Sequence, residues 1–369
     1  MFISEDSLQD GDSAYFCRSV MADRKFRIPK LLIPGAVIAI IIVLCMGNRG
    51  AGDFYAMNIY PALSSALSLV ASPFRFSLQA VLIVFFIALF VWIIIRSCRR
   101  KYGFANCILK EMTLIVWIFV WSYLGWCLNY SRSPITERVG SAGVAYDSTA
   151  FVAFLTDFTE ELNASRVPDV TLDKEVMEND IREFYSSVPE VYGLCRPKRW
   201  QHPKRMPLSG LESAMGILGY IGPFFCESHL NTDLSAADIP YTFAHEYSHL
   251  LGVSSEAEAN WWAFQCCRSS DIPEMRYSAY FGIVSAVLSN AARLLSEEDF
   301  NQWALTISPE VRKDLNDNIN YWRSKRIPLL DDAQKRIYDI FLKSNNIPSG
   351  MKNYSEVIGL MMSLNNIGE

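Results

Sequence analysis

The stretch YTFAHEYSHLLGVSSEAEANWWAF, residues 241–264, decides the fold that we expect for the second half of the chain. It places His245 and His249 four positions apart, and residues four apart lie on one face of an α-helix. Both imidazoles can therefore bind a single metal ion. Glu246, about 100° further round the helix, is then placed to take a proton from a water that the ion polarises. The pattern predicts a zinc site with Glu246 as general base.

The residues around this motif carry the start and stop signals of a helix. Asp238 precedes it, Pro240 falls in its first turn and Gly252 follows its end. A second helix opens with Ser254 or Ser255 as its N-cap. The competing interpretation is a chance pairing of two histidines. Because the chain has only 4 histidines, two of them in helical register favour the metal site.

The second helix supplies the predicted third ligand, Glu256, with Glu258 as the alternative. Asn260 shares a face with Glu256 and is expected to orient the ligand or its neighbours. Acidic residues in a first turn also occur simply because they favour the helix dipole. The spacing from His249 to Ser255 is that of metzincins, but Ser255 stands where their third histidine would be, so that resemblance fails.

Three uncharged apolar runs precede this region, at residues 31–47, 77–95 and 112–130. Each has the length that a helix needs to cross about 30 Å of hydrocarbon, and none shows the polar stripe of a soluble helix. The first run could instead be a signal peptide. However, a long segment precedes it and no small-residue cleavage site follows it, which favours a membrane anchor.

Basic residues flank these runs unevenly. The two groups expected in the cytoplasm are Arg18, Arg24, Lys25, Arg27 and Lys30, before the first run, and Arg96, Arg99, Arg100, Lys101 and Lys110, between the second and third. The other side has only Arg49, Arg75, Arg132 and Arg138. The positive-inside rule then predicts a multi-pass membrane protein with its N-terminus in the cytoplasm and the chain after about residue 131 outside it. Its expected parts are a cytoplasmic segment (1–30), a three-span region in the lipid bilayer (31–130) and an extracytoplasmic domain (131–369).

The extracytoplasmic part is expected to be mainly α-helical with a small sheet. Residues 142–165 and 173–193 are typical of helices, 195–210 of a loop or extended segment, and 216–234 of a short strand or hairpin. From Pro240 onward nearly every segment has a helical pattern. The run 277–295 could be a fourth span, but its serines, Asn290 and Arg293 favour a buried core helix.

Composition excludes some classes of protein. A hydrophobic fraction of 51% is too high for a disordered chain. A net charge of −5 gives no basic face for nucleic acid. The cysteines form no CxxC pair. Four of them, Cys195, Cys226, Cys266 and Cys267, would lie outside the cytoplasm, where a disulfide is permitted but not required.

The motif HEYSH followed by EAEAN resembles the gluzincin-type arrangement of membrane peptidases related to the CAAX prenyl protease. Taken with the apolar runs, "GYIGPFF" and "FLKSNNIPSG", the chain resembles an uncharacterised bacterial family catalogued as domain of unknown function 3810. The resemblance implies a zincin-like α+β fold and a metallopeptidase of the bacterial cytoplasmic membrane. In that family pattern His245, His249 and Glu256 would bind Zn²⁺ and Glu246 would be the base.

The expected function is therefore hydrolysis of a peptide or protein substrate by a membrane-anchored zinc metallopeptidase. The sheet edge that receives the substrate is expected around residues 221–227. His229, His202 and Tyr277 are available to stabilise an oxyanion. Two alternatives stay open. One is a non-catalytic sensor or binding protein on a zincin scaffold, and the other is an intramembrane protease.

Overall fold

The apolar runs fold as helices in the computed structural model, which describes residues 28–99, 103–141 and 147–364. Among the described residues, three helices are long and apolar enough to cross a membrane. A fourth apolar helix has 15 residues and is therefore about 22 Å long, short of the thickness of a bilayer core. In chain order the four are α1 (Leu32–Met46), α2 (Arg49–Ala71), α3 (Leu78–Cys98) and α4 (Phe104–Gly125).

The second and third predicted runs are confirmed as long apolar helices, whereas α2 is not predicted by the apolar pattern. Polar residues such as Asp53 and Asn58 interrupt its sequence. It also contains a π-helical segment, Tyr55–Ile59. Its Tyr60 side chain is fully buried, and the hydroxyl donates to the Leu250 carbonyl at 2.9 Å. Contacts distant in sequence therefore fix this helix, and a local pattern cannot reveal them.

The segment predicted to be cytoplasmic, residues 1–30, lies outside the described residues except for its last three. Cys17, Arg100 and Lys101 lie outside them as well.

The chain divides into two units. The first consists of residues 82–120 and of the described residues up to Ile40. Within it, the Trp117 indole donates to the Leu31 carbonyl at 3.0 Å. Large apolar side chains of α3, among them Val84 and Phe85, are exposed in this unit.

The second unit consists of residues 41–81 and of the described residues from Trp121 onward. Its further helices are α5 (Ile135–Arg138), α6 (Ser148–Ala164), α7 (Lys174–Ser187), α8 (Ser209–Ala214), α9 (Ile239–Leu250), α10 (Glu256–Arg268), α11 (Pro273–Leu294), α12 (Glu297–Ala304), α13 (Pro309–Lys325), α14 (Pro328–Ser344) and α15 (Val357–Ser363). The helices predicted after Pro240 are confirmed to within a few residues. The segment 277–295 lies in α11 up to Leu294 and belongs to a core helix, because Tyr277, Ala279 and Val287 are buried.

A small sheet of three strands lies in the same unit. The strands are β1 (Lys204–Arg205), β2 (Gly219–Gly222) and β3 (Glu227–Leu230), in the order β1-β3-β2. β1 is parallel to β3, and β2 is antiparallel to it, with Tyr220 opposite His229. The hairpin predicted within 216–234 is confirmed, and the extended segment predicted at 195–210 contributes β1.

Helices α9, α10 and α11 pack against one another and form the core of this unit. The largest buried side chains are those of Trp261 and Trp262 on α10. The Trp262 ring lies 6.1 Å from that of Tyr185, whose hydroxyl donates to the Ala244 carbonyl in α9 at 2.8 Å. Aromatic burial on this scale dominates core energetics and holds α9 and α10 in a fixed relation. The four cysteines predicted to lie outside the cytoplasm are all free and buried.

Candidate metal centre

Three side chains of α9 and α10 converge on one point. The helical register of α9 brings the Nε2 atoms of His245 and His249 to 3.1 Å from each other. The first turn of α10 places Glu256 Oε2 at 3.1 Å from the His245 Nε2 atom and at 3.6 Å from the His249 Nε2 atom. One donor atom from each residue lies within 4.8 Å of the others, and all three residues are buried.

Local sequence signals explain how the chain passes from the end of α9 to the start of α10. Pro240 occupies the first turn of α9, and Gly252 follows the helix end with a φ of +98°, a value that glycine adopts without strain. Ser255 is the N-cap of α10 and accepts a hydrogen bond from the Glu258 amide. Glu256 is therefore the first residue of α10 and faces back towards α9.

The orientation of His249 is fixed by its other ring nitrogen. Nδ1 lies 2.7 Å from the Val253 carbonyl, so Nδ1 donates to that carbonyl and Nε2 is the ring nitrogen turned to the cluster. The backbone of His249 is held as well, since the Trp126 indole donates to its carbonyl at 2.9 Å. A carbonyl behind a ligating imidazole is the usual way in which proteins orient a metal ligand.

The other oxygen of Glu256 is held by a tyrosine from a distant helix. The Tyr338 hydroxyl, on α14, donates to Glu256 Oε1 at 2.5 Å. Burial, together with the nearby charge of Glu256, raises the pKa values of Tyr354 and Tyr130. Glu256 thus turns Oε2 to the histidines and Oε1 to Tyr338.

The electrostatics of the cluster favour a positive charge at its centre. Burial disfavours the ionised form of Glu256, but the charge of His249 and the hydrogen bonds of both histidines outweigh burial and lower the pKa of the carboxyl group. Burial likewise disfavours protonated His249, yet the charge of Glu256 and its hydrogen bond raise the pKa of that imidazole to about 9.

Glu246 lies beside this cluster but does not belong to it. Its side chain is buried, and its Oε2 atom has no hydrogen-bond partner among the described residues. Burial raises the pKa of the carboxyl group to about 7, against the opposing charges of His245 and His249. The backbone of Gly219 in β2 lies directly against this carboxylate. The carboxylate occupies the space that a Cβ atom at Gly219 would need.

The structure separates the two glutamates that compete as third ligand. Glu258 Oε1 accepts from the Ile135 amide at 2.9 Å, and Glu258 Oε2 accepts from Arg138 at 2.7 Å. Both oxygens therefore face away from the histidines. Asn260 does not orient Glu256 directly, since its side-chain nitrogen lies 3.4 Å from the Tyr354 carbonyl.

The three residues expected to stabilise an oxyanion are engaged elsewhere. His229 is fully buried and bonds Ser77 at 2.8 Å. His202 bonds Glu178 at 2.9 Å. The Tyr277 hydroxyl donates to Asp314 at 2.8 Å. The structure brings none of these groups to the histidine cluster.

The predicted sheet edge is also displaced. Glu227 belongs to β3, the middle strand, and its carboxylate accepts from the Leu78 and Gln79 amides at 3.1 and 2.8 Å. It therefore caps the start of α3 instead of facing an open edge. The edge strand beside α9 is β2 (residues 219–222), which shares only residues 221 and 222 with the expected range 221–227.

Sequence reasoning missed Tyr338, Tyr354 and Trp126. Tyr338 lies 82 positions from Glu256, and the Trp126 indole reaches His249 across 123 positions. No local spacing links these residues to the motif, because only the packing of α14 and of the segment after α4 brings them to it.

Two imidazoles and a carboxylate are the donor set of many zinc sites. The residues present fit that ion. Their donor atoms converge, the Nδ1 bond of His249 turns Nε2 to the cluster, and the Glu256 pair shows that the cluster already stabilises a positive charge.

Comparison with known proteins gives one match. The family model described as "Protein of unknown function (DUF3810)" covers residues 55–362, well over half of the 369-residue chain. Searches of curated proteins and of solved structures found no match. The matched range contains α9, α10, the sheet and α14, and the chain belongs to the family of proteins of unknown function DUF3810.

Proposed function

We propose that this protein is a membrane-anchored zinc metallopeptidase. The observation that carries the proposal is the buried convergence of His245, His249 and Glu256, with the unpartnered carboxylate oxygen of Glu246 beside it. A site that only stabilised the fold would have no use for a buried acid without a hydrogen-bond partner, since such a group costs free energy.

Each residue has a defined part in the proposed reaction. His245, His249 and Glu256 would hold zinc, and Tyr338 would keep the Glu256 carboxylate in place. When bound, zinc supplies a Lewis acid that polarises a water and a substrate carbonyl. Glu246 accepts a proton from the attacking water as its oxygen bonds to the peptide carbon. The same carboxyl group then donates that proton to the amine nitrogen as the C–N bond breaks.

Strand β2 is suited to receive the substrate backbone. It is an edge strand of the sheet, and Gly219 brings its backbone against Glu246. An extended peptide that pairs with a free strand edge gains main-chain hydrogen bonds without a sequence requirement. Pairing with β2 would carry a peptide bond past the base.

The apolar helices support the membrane part of the proposal. The outward side chains of α3, such as Val84 and Phe85, are large and apolar, as they are on helices that face lipid. Arg96 and Arg99, at the end of α3, favour the cytoplasmic side for that end. The metal cluster would then lie outside the cytoplasm.

The test is to compare the full-length protein with Glu246→Gln in detergent, using a library of quenched fluorescent peptides and metal analysis. We expect both proteins to contain zinc and only the wild type to cleave peptides, with a loss of at least about 100-fold in the variant. Equal cleavage by both proteins would remove Glu246 from the mechanism. Zinc in both without cleavage by either would favour a non-catalytic binding protein.

A further inference from the structure

Helix α14 carries an apolar stripe on its outer face. Leu329, Ile337 and Ile340 are 78%, 70% and 67% exposed, and Ala333 between them is exposed as well. Steps of four, four and three residues connect these positions, so they share one side of the helix. Single exposed apolar residues are common on protein surfaces, but a continuous stripe along a helix indicates a binding surface.

The opposite face of α14 reaches the metal cluster. Tyr338 lies about 100° from Ile337 and further from the other stripe residues, and its hydroxyl donates to Glu256. Leu342, also turned inward, is fully buried. The helix therefore separates the stripe from the cluster by about one helix diameter, 10–12 Å.

The end of α14 is bonded to two of the apolar helices. Asn345, the residue after the helix, accepts a hydrogen bond from the Tyr123 hydroxyl of α4 at 2.8 Å. The Asn346 side chain donates to the carbonyl of Met46, the last residue of α1, at 2.6 Å. The stripe thus begins within a few residues of the points where α1 and α4 end.

We propose that the outer face of α14 lies in the surface of the same lipid bilayer that holds the apolar helices. The inference rests on the membrane location in the proposed function. An amphipathic helix that lies in the interface buries its apolar face by about 5–10 Å, and the bonds at Asn345 and Asn346 hold one end of α14 beside the ends of α1 and α4. A bilayer that surrounds those helix ends would therefore cover the exposed stripe.

The charges of α14 further specify the contact. Its three basic side chains, Lys335, Arg336 and Lys343, are matched by Asp331, Asp332 and Asp339. Lys335 bonds Asp331 and Lys343 bonds Asp339, both at 2.7 Å. With no net charge, the helix gains little from anionic lipids, so apolar burial provides the attraction.

The test is photo-crosslinking of the full-length protein in nanodiscs of zwitterionic phospholipid. The photoreactive residue p-benzoylphenylalanine replaces Ile337 or Ile340 in separate variants, and intact-mass spectrometry identifies what is attached. Phe85 of α3 is the positive control. Ile319 of α13 is the matched negative control. It is also an isoleucine and is 49% exposed, but its helix packs at the start of α9, where the neighbouring Asn318 bonds Asp238.

We expect lipid adducts at Ile337 and Ile340 in a yield close to that at Phe85 and several-fold above that at Ile319. Adducts at Phe85 without adducts on α14 would overturn the proposal and leave the membrane anchor intact. A crosslinked dimer at Ile337 would also overturn it, in favour of a second copy of this chain. The absence of a lipid adduct at Phe85 would contradict the proposed membrane anchor, and with it the inference about α14.

Discussion

At the scale of single residues, hydrogen bonds to one atom of a ligand side chain determine which other atom faces the cluster. Val253 holds Nδ1 of His249, and Tyr338 holds Oε1 of Glu256. The atoms left over are the ones that converge. Glu258, two residues from Glu256, is excluded by the same rule because Arg138 and the Ile135 amide take both of its oxygens.

Tyr338→Phe tests this arrangement. The substitution removes the hydroxyl that fixes Glu256 and leaves the ring in place, so we expect zinc affinity to fall by about 10–100-fold. Competition with a chromogenic chelator measures the affinity. Tyr321→Phe is the matched control, since that hydroxyl donates to the Asp233 carbonyl. An unchanged affinity in Tyr338→Phe would mean that Glu256 needs no support from α14.

At the scale of secondary structure elements, the site depends on how closely β2 approaches α9. Gly219 is the point of contact, because a Cβ atom there would collide with the Glu246 carboxylate. The ligands lie on α9 and α10, so an added methyl group on β2 would move the proposed base without moving the ligands.

Gly219→Ala should therefore separate catalysis from metal binding. We expect peptide cleavage to fall by at least about tenfold while the zinc content stays that of the wild type. Gly210→Ala is the matched control, as a Cβ atom at that position meets nothing within 4 Å. Full activity in Gly219→Ala would show that the position of Glu246 does not depend on β2.

The sequence predicted those elements whose signals are local. The i, i+4 histidines, Pro240 and Gly252 specify α9, and the apolar run at 77–95 specifies α3. Helix α2 was not predicted, since its polar residues hide the apolar pattern and Tyr60 finds its partner 190 positions away. The contribution of α14 to the site was not predictable for the same reason, because Tyr338 meets Glu256 only in the folded chain.

At the scale of the whole molecule, one buried histidine links folding to pH. Burial lowers the pKa of His229 from 6.5 to about 4, against the raising effect of Glu227, and Lys204 lowers it further. Between these pH values the unfolded chain binds a proton at this residue and the folded chain does not. The contribution of neutral His229 to the free energy of unfolding is thus fully present above pH 6.5. It falls by about 3 kcal/mol as the pH falls to 4.

His229→Gln removes this titration. We expect the free energy of unfolding to decrease less in the variant than in the wild type between pH 7 and pH 4, as measured by thermal melting of the full chain in detergent with a chelator present. The chelator keeps metal release out of the comparison. Parallel curves for the two proteins would show that His229 is solvated or protonated in the folded state.

The zinc content of the full-length protein, measured by mass spectrometry beside Glu256→Gln and Glu258→Gln, tests the central claim most directly. About one zinc per chain is expected in the wild type and in Glu258→Gln, with a clear loss in Glu256→Gln, because only Glu256 faces the histidines. A folded wild type without zinc, or an equal loss in both variants, would contradict the metal centre.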